Sequence, residues 1–146
     1  MKSFQFPLQK VLDWRRTEMA LAEAHLERQL AALAELDRRR AELQAAGIRT
    51  ALEVHRFHPL AGRDLAALES FHLLVNVRGT EIAKRRVECQ RELAVLQAGL
   101  LEARRRCRLL ERLQERRWTE WQAARDRELE EMASDSFLAR WNRRQA

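Results

Sequence analysis

Tyrosine is absent from this sequence, and in 146 residues there are only two prolines, four glycines, two cysteines and three lysines. The shortage of proline and glycine leaves few places for the chain to turn. Together with sparse strand-favouring residues it nearly excludes sheet folds, including any α/β nucleotide-binding fold. Cys89 and Cys107 fall 18 residues apart in one predicted helix, roughly 27 Å at 1.5 Å per residue and far beyond disulfide reach. No apolar run approaches the ~20 residues that cross a bilayer, and Met1 to Pro7 lack the apolar middle of a signal peptide. A cytoplasmic protein is expected.

Arginine, leucine, alanine, glutamate and lysine together fill 90 of the 146 positions. That bias, joined to a 3.5 or 3.6 period, marks long helices and coiled coils. Because 34% of residues are charged, too little apolar material remains for a compact globule, and the predicted object is an elongated single domain whose core is a seam. The net charge of +6 is compatible with nucleic acid, an anionic lipid surface or an acidic protein. Arginine outnumbers lysine 25 to 3, an excess that GC-rich codon usage produces without any function.

Leu12, Met19, Leu26 and Leu33 recur at sevens, with Leu8, Ala22, Leu36 and Leu43 three or four residues away and interruptions at Arg15, Gln29 and Arg40. Gly47, Thr50, His55, Phe57, His58, Pro59 and Gly62 then concentrate the punctuation. From Leu65 a second series follows at alternating steps of three and four: Leu68, His72, Val75, Gly79, Ile82, Arg86, Cys89, Leu93, Leu96, Leu100, Ala103, Cys107, Leu110, Gln114, Arg117, Trp121 and Ala124. A sustained 3.5 period makes a helix supercoil about a partner, and the nearest partner is the first helix. The predicted fold is all-α: two long helices in an antiparallel coiled-coil hairpin, the second longer. Helix 1 is expected over about 5–46, the turn over 47–61, either irregular throughout or with one short helical piece around Ala51 to Arg56, and helix 2 over about 62–133. The tail 134–146 is expected either to be disordered or to form a further docking segment. Trp118 and Trp121 fold onto Phe4, Phe6 and Trp14, offer apolar area to another molecule, or do both.

Other function classes fare poorly. The basic triplets Arg38 to Arg40, Lys84 to Arg86 and Arg104 to Arg106 sit inside or beside the seam among acids, unlike a basic leucine zipper, so nucleic-acid binding is not expected. His55 and His58 lack further ligands at metal spacing, there is no glycine-rich phosphate loop, and Ser3, Ser70, Ser134 and Ser136 have no His and acid arranged for nucleophilic work. A two-helix seam also offers no water-excluding pocket. Neither catalysis nor a cofactor or metal is expected.

The chain opens with Phe4-Gln5-Phe6-Pro7-Leu8-Gln9-Lys10-Val11-Leu12-Asp13-Trp14-Arg15. This F-x-F-x-L-x-x-V-L-x-x-R arrangement resembles the opening of the FliJ family of flagellar type III export proteins. Leu110-Glu111-Arg112-Leu113-Gln114-Glu115-Arg116-Arg117-Trp118 and Arg127-Glu128-Leu129-Glu130-Glu131-Met132-Ala133 resemble that family's closing segment. Arg127 stands where the family tends to have Lys, and Ser134 to Ala146, with Phe137, Leu138 and Trp141, has no family counterpart.

The resemblance implies a stalk and general chaperone for flagellar protein export. Such a protein inserts one end into a hexameric export ATPase, links that ring to the membrane export gate, and serves export chaperones and substrates. It would be monomeric and cytoplasmic, peripheral to the inner-membrane export apparatus. Carried over, ring contacts would come from Arg15, Arg16, Glu18, Arg112, Arg116, Arg117, Trp118 and Arg127, and gate contacts from Phe71, Leu74 and Val75. The alternatives are the equivalent stalk of a virulence injectisome and a self-associating structural coiled coil paired through Leu93 to Leu110.

Overall fold

The computed structural model describes residues 3–56 and 61–145. Among these are two α-helices and no strand: α1, Gln9–Arg56, and α2, Gly62–Gln145. The fold is therefore all-α, two long helices packed on each other. By contacts the chain divides into two compact units, one joining the segment up to Ala20 with that from Leu101 onward, the other Leu21–Leu100.

Within each unit the helices run antiparallel. In the first, Gln9 meets Gln114 and Arg16 meets Glu111. In the second, Gln29 meets Cys89 and Asp37 meets Arg86, while a Cβ on Gly79 would stand 4.0 Å from Leu43 Cδ2 and one on Gly47 3.9 Å from Val75 Cγ1. Burial follows the predicted series closely. Along α2 every seam position from Leu68 to Gln114 is buried or half-buried except His72, and Leu65, Arg117 and Ala124 are exposed.

The helix boundaries differ from those expected, each for a local reason. Helix 1 begins at Gln9, not near residue 5, because Pro7 lies in a turn closed by Gln9 N–H donating to the Phe6 carbonyl at 3.1 Å. It continues past residue 46 to Arg56, so residues 47–56 of the expected turn are helical. A lone helical glycine costs about 1 kcal/mol, which the continuing seam offsets: Gly47, Thr50 and Val54 extend the three-four spacing and are half-buried. The expected turn residues Phe57, His58 and Pro59 lie outside the described residues.

Helix α2 starts with a reciprocal cap at Ala61. Its N–H donates to Asp64 Oδ2 at 3.2 Å, and its carbonyl accepts from Asp64 N–H at 3.0 Å, the arrangement in which a carboxylate in the first turn satisfies an orphan donor. At the other end α2 does not stop at 133 but reaches Gln145. No Gly or Pro follows Gly99, and the residues beyond it are mostly good helix formers. Past Trp121 every described residue is exposed.

Candidate functional site

The unit containing the chain's start holds all eight predicted ring contacts. Its core is Phe6, Leu12 and Cys107, with Phe4, Met19, Leu110 and Leu113 packed around them. Leu12 is fully buried, a burial that contributes on the order of 1.5–3 kcal/mol. Above this core Phe4 stands edge-on to Trp118 (centroids 5.1 Å apart, 83° between planes) and tilted against Trp121 at 6.0 Å. The two tryptophans stack at 5.1 Å. Each such aromatic pair is worth about 0.5–1.5 kcal/mol beyond its area. Of the alternatives for the tryptophans, folding onto the chain start is therefore realised through Phe4. Trp14 takes no part; it is 57% exposed, with the Arg15 guanidinium 4.5 Å from its ring centre.

Around this aromatic closure the charges are disposed unevenly. Arg15 pairs with Glu18 at 2.8 Å, Arg16 reaches across to Glu111 at 3.2 Å, and Arg117 pairs with Glu120 at 3.3 Å. Arg112 and Arg116 are exposed, and the Arg127 Nε–H donates to the Ala123 carbonyl one turn back. Arg16, Arg112, Arg116, Arg117, Trp118 and Arg127 are thus exposed side chains of one unit, spread by helical spacing over several sides of α2, and Arg15 and Glu18 are half-buried. Glu111, one step off the seam, is not among the expected contacts. It tethers Arg16 and also faces the Cys107 thiol at 3.7 Å. Burial pushes that thiol's pKa up, and the Glu111 carboxylate pushes it further.

The second unit holds the predicted gate contacts. Phe71 and Val75 are half-buried, and Leu74 is exposed. Leu73 and Val77, not singled out beforehand, are more exposed still. The signal for them was legible: between Leu65 and Thr80 only Glu69 and Arg78 carry charge, although a third of the whole chain is charged. Exposed apolar side chains in a charge-poor stretch mark surface that can be covered by another molecule.

Deeper in this unit the seam is polar in places. Gln29 Nε2 donates to Glu92 Oε2 at 2.6 Å and to the Cys89 carbonyl at 3.5 Å, while the Cys89 thiol faces the Gln29 carbonyl at 3.7 Å. Arg86 Nε lies 2.6 Å from Asp37 Oδ1 as an ion pair without the alignment of a directed hydrogen bond. On the solvent side Arg38 and Arg39 hold the Glu35 carboxyl down at about 2. Glu35 pairs with Arg39 and Glu102 with Arg106 at i, i+4 spacing, at 3.0 and 3.1 Å.

Among the described residues no three His, Cys, Asp or Glu side chains gather as a metal site, and no helix is long and apolar enough to cross a membrane. No known family model matches the sequence, and no curated protein or solved structure matches it either.

Proposed function

We propose that the chain is a FliJ-like stalk and chaperone of flagellar protein export, docking through its Phe4-to-Ala20 and post-Leu101 unit on a hexameric export ATPase and through the Phe71–Val75 stretch on the export gate. One observation carries the reading. Two of the three segments that bear the resemblance, Phe4 to Arg15 and Leu110 to Trp118, pack on each other in one unit, where Phe6, Leu12 and Cys107 form a core, Phe4, Leu110 and Leu113 pack against it, and Phe4 meets Trp118. A unit with that arrangement presents an aromatic closure with the Arg125 guanidinium 5.7 Å from the Trp121 ring centre and further exposed arginines along the same helix. Charges of this kind on a rim tune association rate and specificity more than affinity, which suits an end that must meet polar loops without locking onto them.

The reading assigns no catalysis and no cofactor to the chain, and it extends to the corresponding stalk of an injectisome. The scaffold alternative relied on an uncovered stretch from Leu93 to Leu110. Within the single chain Leu100, Ala103 and Cys107 are already buried, which removes its main support.

The test is co-sedimentation with the purified export ATPase. Replacing Arg116 and Arg117 by Glu should weaken association at least tenfold while circular dichroism stays unchanged, because both side chains are exposed and reversing rim charges acts on the encounter. Undiminished co-sedimentation of the double variant would overturn the assignment.

A further inference from the structure

The last turns of α2 carry a surface that the export reading leaves unused. Phe137, Leu138 and Trp141 are 65%, 56% and 52% exposed. Phe137 and Trp141, one turn apart, stack at 6.4 Å with 25° between their rings, so they form one apolar ledge, with Leu138 on its shoulder. Arg140 and Arg144 border the Phe137 side of the ledge by helical spacing, and the Arg143 Nε–H donates to the Ala139 carbonyl. Between Ser136 and Gln145 there are three arginines and no acid. The acids lie earlier: Glu128, Glu130 and Glu131 come about two turns before Phe137, and Asp135 flanks Leu138.

We infer that this end of α2 docks on an anionic phospholipid surface, with Phe137, Leu138 and Trp141 entering the headgroup boundary, Arg140 and Arg144 meeting lipid phosphates beside them, and Arg143, on the far side of the helix by spacing, adding to the basic charge of this end. The inference does not depend on the export reading. Two observations select the occupant. Continued past Ala124, the seam register places Glu128, Glu131, Asp135, Leu138 and Asn142 at the positions a helical partner would need to be apolar; with four of the five polar, a second copy pairing as a coiled coil is a poor fit. The remaining ledge instead joins aromatic and aliphatic anchors to a basic flank, the chemistry of helices that lie in the membrane interface. Arginine stems can lie along the acyl boundary while their heads stay at the phosphates. Each basic group near an anionic surface adds to the attraction.

The full chain is to be sedimented with phosphatidylcholine vesicles and with vesicles containing phosphatidylglycerol, at low and high salt. Binding is expected only to the anionic vesicles and should weaken with salt. The R140E/R143E/R144E variant should bind on the order of 100-fold more weakly, and F137S/W141S should also lose binding. W141F should retain it, which separates loss of the anchor from loss of the helix, with circular dichroism recorded for every variant. Absence of binding by the parent chain, equal binding to both vesicle types, or retention by the charge and anchor variants would overturn the inference. So would capture of polyglutamate that needs the three arginines but not Phe137 and Trp141, since the surface would then serve an acidic polypeptide.

Discussion

The two units use the same helix pair with different contents at the contact. In the one that includes the chain's start, the contact is apolar and aromatic: Leu12, Phe6 and Cys107 at the centre, and Phe4, Trp118 and Trp121 closing over it. In Leu21–Leu100 the corresponding positions include Gln29, Arg86, Gly47 and Gly79, and among the described residues there the only buried side chains are Cys89 and Leu100. Stability in the first should come from burial. In the second it should come from helix propensity and paired polar groups, which contribute less per contact. An even leucine seam would have made the two alike, and the substitutions that distinguish them are written in the polar and glycine positions.

That contrast can be broken at Leu12. Its replacement by Ala should cost about 2–5 kcal/mol, as large-to-small changes at fully buried sites do, read from urea denaturation followed by circular dichroism. Leu33→Ala, at a half-buried site in the other unit, should cost clearly less. Equal losses would mean that both units rest on the same kind of core.

A smaller effect of opposite sign sharpens the comparison. Gly47→Ala and Gly79→Ala should each stabilise by about 0.5–1 kcal/mol in the same measurement, since Ala is the better helix former. The new methyls would meet Val75 and Leu43 at 3.9 and 4.0 Å, ordinary van der Waals contact. Destabilisation would show that the glycines are needed for close approach.

The smallest effect is expected at Glu35. Its carboxyl is depressed from an ordinary value of 4.5 to about 2 by hydrogen bonds from Arg38 and Arg39. A depressed acid stabilises the folded state above its unfolded pKa and loses that contribution as pH falls through the folded one. The urea midpoint should therefore decline between about pH 4.5 and 2, and Glu35→Gln should flatten part of that slope. Because the groups are exposed, the change should be slight and should shrink further in salt.

Much of this architecture was legible from residue spacing. The series from Leu68 to Gln114 anticipated which side of α2 is withdrawn from solvent, because apolar periodicity and burial have one cause. The helix ends were less legible. Gly47 read as a stop since glycine is costly in isolation, yet Leu43, Thr50 and Val54 kept the period alive across it. The tail read as doubtful because it has no counterpart in the family that the two ends resemble, while its backbone propensity remains helical. Charge pairs within one helix could be listed from spacing alone. Those between helices, Arg16 with Glu111 and Asp37 with Arg86, required knowing which residues stand opposite each other. The arginines read as ring contacts do gather in one unit, but their spacing alone did not show that Arg15, Arg16 and Arg117 are already engaged with carboxylates.

The amide of Gln29 and the carboxylate of Asp37 also act as register pins. A repeat of seven invites a pair of helices to slide by whole heptads, since leucine would again meet leucine. Here such a slip would bring Gln29 opposite Ile82 or Leu96 instead of Cys89, and Asp37 opposite Gly79 or Leu93 instead of Arg86. Both polar contacts would be stranded at once, each at the cost of an unpaired group next to apolar surface. The imperfections of the seam therefore make one alignment of the two helices the preferred one, as single polar residues do in other coiled coils.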